Sequence, residues 1–297
     1  MTAPVEELRF EAGDLSVAAL AWGSPGDRLA LCLHGYPDTA WTWRHLGPYL
    51  AQRGWRVVAP FQRGYAPTAL APDRVYQIGA LARDAIEAHA ALGGDDRTVL
   101  IGHDWGAAAT YCAASFAPER FARAVTLAVP PGPAFFALPR TVPDLVLSAR
   151  QLRRSWYMGF QQLPIVSEAA LDRLIPRLWA DWSPGYDAAE DLDHVWAALP
   201  DPAHRTAVLR YYRALAQPWE RSRAYAAEQA HMMRLPRQPL LYLYGERDGC
   251  LLPAVSERTR ALVGPDGAVH AVPDAGHFLQ LERPETVNEL IGDFIGT

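Results

Sequence analysis

The chain has 297 residues, half of them hydrophobic, and its 28 basic and 33 acidic residues leave a net charge of −5. This length suits one large α/β domain, alone or with an insertion. All the basic residues are arginines, and neither sign of charge forms a long block. We therefore expect no nucleic-acid-binding surface, no polybasic patch and no membrane partner.

The N-terminal residues, the lengths of the apolar runs and the cysteines favour one cellular compartment. Residues 1–9 carry early acids and no apolar core, so they do not predict a signal peptide, and no run of about 18 apolar residues predicts a membrane span. Cys32, Cys112 and Cys250 are widely spaced and show no metal-ligand spacing. Cys32 and Cys112 fall in apolar segments and are expected to be reduced core residues. These features favour a reducing cytoplasm.

Apolar strands alternate with helices through the first half of the chain. The predicted strands are 17–21, 29–33, 56–59, 98–101 and 122–128, and the predicted helices are 44–53, 75–92 and 107–116. This alternation predicts a mostly parallel, doubly wound sheet.

The alternation stops between about residues 132 and 235, where the pattern is helical and contains no convincing strand. It resumes with predicted strands at 240–244 and 268–272 and a closing helix at 284–295. We therefore predict one α/β domain, made of residues 1–131 and 237–297, with a helical cap inserted at residues 132–236. Because both flanks belong to one sheet, the cap should lie over the strand ends, where open α/β sheets hold their active sites.

The segment 99–107, with the sequence VLIGHDWGA, carries the most information. An apolar strand ends at Gly102, a reactive side chain follows, and Gly106 opens an alanine-rich helix, which is the pattern of a nucleophile turn. Asp104 occupies the nucleophile position. A carboxylate is a poor catalyst of acyl transfer but displaces a leaving group from a saturated carbon, giving an alkyl-enzyme ester. Alternatively, Asp104 could simply cap the following helix.

Hydrolysis of such an ester requires a base that activates water and an acid that orients the base. His277 lies in a loop before the last helix, and Asp248 lies just beyond a late strand. Glu246 and Asp274 compete with Asp248 for the role of the acid. We favour Asp248, because the acid must reach the imidazole from a different strand. His34 and His103 are interpreted as structural residues.

Several motifs together resemble the epoxide hydrolases of the α/β-hydrolase fold over nearly the whole chain. They are His34-Gly35-Tyr36-Pro37, Arg63-Gly64-Tyr65, Gly102-His103-Asp104-Trp105-Gly106, the segment 245–248 and Gly276-His277-Phe278. The chain order Asp104, Asp248, His277 is the order of nucleophile, acid and base in this fold. The resemblance implies that the backbone N–H groups of Tyr36 and Trp105 form the oxyanion hole.

The resemblance also implies two tyrosines that hold the epoxide oxygen. Tyr157 matches the first in a Trp-Tyr-x-x-Phe segment, and Tyr212 matches the second in Tyr211-Tyr212-Arg213-Ala214. A phenol is a suitable proton donor to an alkoxide, which is far more basic. Tyr211 is the alternative to Tyr212, since adjacent residues of a helix face different directions. A single tyrosine in the cap would more simply be a packing residue.

We predict that an epoxide enters between cap and core, reacts with water and leaves as a vicinal diol. The expected pocket walls are Trp41, Trp105, Phe135 and Trp156. No cofactor and no metal are expected, and a homodimer is left open.

The main alternative is a haloalkane dehalogenase, in which Trp105 and a cap tryptophan, Trp156 or Trp182, would bind halide. A fluoroacetate dehalogenase is disfavoured, because Trp105 stands where those enzymes carry Arg. A catalytically silent binding protein of the same fold is the remaining alternative.

Overall fold

The computed structural model describes residues 4–297, so the first three residues of the N-terminal segment discussed above lie outside it. One sheet contains the strands β1 (Glu6–Ala12), β2 (Leu15–Trp22), β3 (Arg28–Leu33), β4 (Trp55–Pro60), β5 (Val99–His103), β6 (Arg123–Leu127), β7 (Leu240–Gly245) and β8 (Ala268–Val272). Their order is β1-β2-β4-β3-β5-β6-β7-β8. The pairs β1–β2 and β2–β4 are antiparallel, and all later neighbours are parallel. The predicted mostly parallel sheet is confirmed.

Strand β1 was not predicted. Its residues alternate between exposed and partly buried positions, with Leu8, Phe10 and Ala12 on the inner side. It pairs only with β2 and so forms an edge of the sheet. The signal that predicts such a strand is the alternation of apolar and polar residues with a period of two. The central strands β3, β4 and β5 are buried along nearly their whole length, as expected where helices cover both faces.

The helices account for most of the remaining chain. They are α1 (Leu46–Ala51), α2 (Ile78–Ala91), α3 (Trp105–Phe116), α4 (Gly132–Phe135), α5 (Val142–Arg154), α6 (Trp156–Phe160), α7 (Val166–Trp182), α8 (Ala189–Ala198), α9 (Pro202–Ala216), α10 (Ala226–Gln229), α11 (Pro253–Ser256), α12 (Leu279–Glu282) and α13 (Pro284–Ile295). Helix α13 and strand β8 have the predicted bounds. Helix α1 is shorter than predicted at both ends, and a separate 3-10 turn, Ala40–Trp43, which is capped by Thr39, precedes it.

Helices α4 to α10 all lie between β6 and β7, and within the described residues no strand interrupts them. We call residues 132–236 the helical segment. We call the rest of the described chain the sheet domain. Hydrogen bonds, ring stacking and an ion pair join the helical segment to it. The Trp179 indole N–H donates a hydrogen bond of 2.9 Å to the carbonyl of Pro37, and its ring stacks on Phe278. Arg44 forms an ion pair with the buried Asp191 at 2.5 Å. The helical segment is therefore fastened to the loops at the carboxyl ends of the strands.

In residues 4–297 we find no helix with the length and apolar character needed to cross a membrane.

Candidate active site

Asp104 sits on a tight turn between β5 and α3. Its backbone has φ 52° and ψ −115°, a conformation that costs an L-residue about 1–3 kcal/mol. The flanking glycines make the turn possible, because a Cβ on Gly102 would overlap the backbone of Gly106, and one on Gly106 would overlap the backbone of Leu33. The turn therefore holds the Asp104 carboxylate above the carboxyl edge of the sheet in one fixed direction.

The loop after β3 approaches this carboxylate closely. A Cβ on Gly35 would overlap the side chain of Asp104, so only glycine fits there. The next residue, Tyr36, donates its backbone N–H to Asp104 Oδ1 at 2.8 Å. Trp105 is the first residue of α3, and its N–H has no acceptor inside the helix. Of the two amides predicted for an oxyanion hole, that of Tyr36 is therefore hydrogen-bonded to the carboxylate, and that of Trp105 begins the helix that follows it.

His277 lies between two carboxylates. Its Nδ1 is hydrogen-bonded to Asp248 Oδ2 at 3.0 Å, and its Nε2 is 3.6 Å from Asp104 Oδ2. The other oxygen of Asp248 accepts hydrogen bonds from the backbone N–H groups of Cys250 and Leu251, at 2.7 and 2.9 Å. These contacts fix the orientation of the acid and the base with respect to Asp104.

The two competing acids lie elsewhere. Asp274 is largely exposed and approaches Arg247 at 4.0 Å, and Glu246 is exposed. Asp248, which is 3 % exposed, is the carboxylate that reaches His277.

The charge on His277 follows from this arrangement. Burial lowers the pKa of the imidazole, but the carboxylates of Asp248 and Asp104 outweigh this effect and raise the pKa to about 10. The side chain is therefore an imidazolium at neutral pH. Any event that neutralises Asp104 removes one of these two charges and lowers the pKa of His277.

We expect Asp104→Asn to move the titration of His277 to lower pH, because the amide keeps the shape of the carboxylate without its charge. The measurement is the pH dependence of the His277 ring resonances in NMR spectra, assigned with His277→Gln. The unsubstituted protein should titrate near pH 10. Asp274→Asn, which removes an exposed carboxylate from the same loop, should leave the midpoint unchanged. Equal midpoints for all three proteins would contradict the electrostatic coupling.

A cavity above Asp104 separates the sheet domain from the helical segment. About 710 Å³ of its volume is free of protein atoms, part of it open to solvent. Tyr157 from α6 and Tyr212 from α9 line it together with Asp104, and their rings are 5.7 Å apart. The Tyr212 hydroxyl has no hydrogen-bond partner among the described residues although it is buried. Burial raises the pKa of both phenols well above 10, so both remain proton donors.

Tyr211 faces away from the cavity, as expected for its position beside Tyr212 on one helix. Its hydroxyl donates a hydrogen bond of 2.7 Å to the carbonyl of Arg63, and its ring packs on Tyr76. It anchors α9 to the sheet domain.

Two of the four predicted pocket walls need correction. Trp105 and Phe135 line the cavity. Trp41 does not, because the 3-10 turn that carries it faces α8, where its ring stacks on His194 at 4.7 Å. Trp156 is 40 % exposed and lies under the guanidinium of Arg177, because the neighbouring Tyr157 occupies the inward face of α6.

Two further residues complete the site: Cys250, for which the sequence predicted no role, and Trp182, which was considered only as a halide donor. The Cys250 thiol is 3.3 Å from the Tyr157 hydroxyl and lines the cavity. The Trp182 ring packs against both Tyr157 and His277, with centroids 5.0 and 4.9 Å away. Cys250 follows Asp248 by two residues in the same loop, and that proximity was the available signal. The place of Trp182 depends on packing between α7 and the His277 loop.

Asp248, Cys250 and His277 also form a group of possible metal ligands, whose donor atoms lie within 4.8 Å of one another. Asp248 and His277 already share a hydrogen bond, and burial raises the pKa of the Cys250 thiol well above 9. A metal ion would have to displace both the shared hydrogen bond and the thiol proton.

His34 and His103 are held by backbone groups. His34 Nε2 accepts the N–H of Gln62, and His103 Nε2 contacts the carbonyl of His277 at 3.0 Å. Burial lowers the pKa of His34 to about 4 and that of His103 to about 3. Both are neutral and brace the loops around Asp104 and His277.

Comparison with known proteins agrees with this geometry. The profile of the alpha/beta hydrolase fold family matches residues 31–284. The chain is 27% identical to epoxide hydrolase A of Mycobacterium tuberculosis, covering 99% of this chain and 98% of that protein. It is 28% identical to the AB hydrolase superfamily protein YfhM of Bacillus subtilis, covering 95% and 94%. The crystal structure of epoxide hydrolase A from Mycobacterium thermoresistibile has a TM-score of 0.76 at 27% identity, with 98% of both chains covered. The chain therefore belongs to the alpha/beta hydrolase fold family, and it is a hydrolase.

Proposed function

We propose that this hydrolase converts epoxides to vicinal diols through an ester formed on Asp104. The observation that carries the proposal is the pair of buried phenols, Tyr157 and Tyr212, facing the Asp104 carboxylate across one cavity. The names of the relatives support the same chemistry. In this proposal the helical segment acts as the cap that closes the cavity over the substrate.

In the first step Asp104 Oδ2 attacks an epoxide carbon from the side opposite the ring oxygen. The carbon–oxygen bond breaks, and the leaving oxygen takes a proton from one of the two tyrosines. Asp104 becomes a neutral ester, so His277 loses one of the charges that held its proton. The imidazolium then returns a proton to the tyrosinate and becomes a neutral base.

In the second step neutral His277, oriented by Asp248, removes a proton from water, which attacks the ester carbonyl. The oxygen that becomes negative is Oδ1, which already accepts the Tyr36 N–H. The Trp105 N–H and the N-terminus of α3 add to its stabilisation. Collapse of the intermediate restores the Asp104 carboxylate, the His277 imidazolium and a diol.

The dehalogenase alternative has less support. It requires a halide site built from a second N–H donor beside Trp105, and the exposed Trp156 does not face the cavity. Trp182 is near His277 and is the remaining candidate for that donor. The silent alternative leaves the complete set of Asp104, His277, Asp248 and two buried phenols without a purpose.

Product analysis tests the proposal. The purified enzyme is offered a panel of aryl and alkyl epoxides and of terminal haloalkanes, with Asp104→Ala as the control. Diol formation that depends on Asp104, without halide release, is the expected result. Halide release without diol formation would favour the dehalogenase alternative. Turnover of neither epoxides nor haloalkanes would favour a binding protein.

Replacing both Tyr157 and Tyr212 by Phe is expected to lower kcat/KM for epoxides by about 10²–10⁴-fold, because the leaving oxygen then lacks a proton donor. Each single variant should retain part of the rate. Tyr211→Phe is the matched control, since that hydroxyl bonds the Arg63 carbonyl outside the cavity. Steady-state kinetics measures the effect. Full activity of the double variant would mean that the two phenols only pack the interface.

A further inference from the structure

Helix α5 turns its apolar side to solvent. Val142, Leu145, Val146 and Leu152 are 75, 60, 53 and 75 % exposed. They lie at positions i, i+3, i+4 and i+10, and the exposed Ala149 fills position i+7, so they form one continuous stripe along the helix. We call these five residues the α5 stripe.

The opposite side of α5 faces the protein, and its hydrogen bonds there come from polar side chains. Gln151 is 9 % exposed, donates to the Cys250 carbonyl at 3.0 Å and accepts the Leu252 N–H at 2.9 Å. Arg154 donates to the Asp248 carbonyl at 2.7 Å. A helix on the surface of a water-soluble domain normally buries its apolar face. The polarity of α5 is reversed, which is typical of a helix whose outer face meets an apolar medium.

Exposed apolar residues also flank α5, and the helix begins and ends close in sequence to residues of the active-site cavity. Phe136 and Leu138, just before the helix, are 48 and 82 % exposed, and Trp156, just after it, is 40 % exposed. Phe136 and Ser155 line the cavity itself. Both sequence flanks of α5 therefore reach the cavity that holds Asp104.

The charges around the stripe are positive. Arg140 and Arg150 are exposed beside it, and the exposed Arg153 lies on the same face at its C-terminal end. The single acid of α5, Asp144, is held by the capping box with Thr141 and lies 3.4 Å from Arg258. This cationic rim occurs on a chain whose net charge is −5. An apolar stripe with an arginine rim matches the surface of an anionic lipid bilayer.

We propose that α5 docks this protein on anionic lipid membranes, with the α5 stripe in the interface and the arginines at the phosphates. This proposal departs from the expectation of no membrane partner, which rested on the charge pattern along the sequence. A second copy of the chain is the weaker partner, because a two-fold contact through α5 would bring the two arginine rims together. If the proposed function holds, docking places the cavity mouth at the membrane, where apolar epoxides concentrate.

Vesicle flotation tests the docking without reference to catalysis. Vesicles of phosphatidylcholine with phosphatidylglycerol should bind the protein, pure phosphatidylcholine should bind it more weakly, and high salt should release it. The double variant Leu145→Gln/Leu152→Gln should reduce partitioning by about tenfold or more. Arg150→Gln/Arg153→Gln should reduce it by a similar factor on anionic vesicles alone. Trp219→Gln/Leu262→Gln, at exposed apolar positions off the stripe, is the matched control.

Circular dichroism verifies that each variant is folded, and the hydrolysis of a water-soluble epoxide should be unchanged. Equal flotation of the stripe variant and the control would overturn the proposal. The proposal would also be overturned if vesicles bind neither the unsubstituted protein nor the stripe variant, while sedimentation shows that the unsubstituted protein is a dimer and the stripe variant a monomer. If the unsubstituted protein binds vesicles but hydrolyses no epoxide, the proposed function is rejected and the proposed docking stands.

Discussion

Asp104→Ala is expected to abolish diol formation, with kcat lowered by about 10⁴-fold or more, as for the loss of other covalent nucleophiles. The physical reason is that the turn between β5 and α3 aims one carboxylate into the cavity. With alanine at position 104, the cavity lining holds no other carboxylate that could attack the epoxide carbon, and free water lacks the fixed alignment of a side chain. Diol formation is measured by chromatography with substrate in excess.

The control for this variant is structural. Alanine removes the hydrogen bond from the Tyr36 N–H and the charge that faces His277 Nε2 at 3.6 Å, so circular dichroism, not an unchanged melting temperature, verifies that the variant is folded. If Asp104→Ala is folded and fully active, the covalent mechanism is wrong.

His277→Gln is expected to separate the two chemical steps. Asp104 keeps its position and is still alkylated, but no base activates the water that must cleave the ester. Turnover should fall by about 10³–10⁴-fold, while intact-mass analysis shows the enzyme heavier by one epoxide.

The double variant Asp104→Ala/His277→Gln should show no added mass, which identifies the site of alkylation. Asp248→Asn should accumulate less ester than His277→Gln, because the imidazole remains present though poorly oriented. Failure of His277→Gln to accumulate an adduct with a rapidly turned-over substrate would count against the two-step scheme.

The local patterns predicted much of the fold. Strands β3, β5 and β7 are short apolar runs ending at glycine or at the site residues, and such runs are typical of buried parallel strands. The helical interruption between β6 and β7 was visible as a long region without strand pattern. Strand β1 was missed because an edge strand is solvated on one side and its alternation is short.

The site was predicted where side-chain position follows from the backbone. Asp104, Asp248 and His277 each follow a strand at the carboxyl edge of the sheet, so their proximity is a consequence of topology. Trp41 and Trp156 were wrongly assigned to the cavity wall, because a residue type near a loop does not reveal which side of the turn it occupies. For the same reason, Cys250 was overlooked and Trp182 was considered only as a halide donor.

The sequence by itself determined the strained turn at Asp104, since only its two flanking glycines permit the close approach of β3 and α3. It also determined the order of nucleophile, acid and base along the chain. Only the tertiary structure decided the charge of His277, because that charge depends on two carboxylates brought together from distant loops. It alone decided that the apolar side of α5 faces solvent: the sequence spacing shows an amphipathic helix but not which side is buried, and the contacts of Gln151 and Arg154 with the loop after β7 turn the apolar side outward.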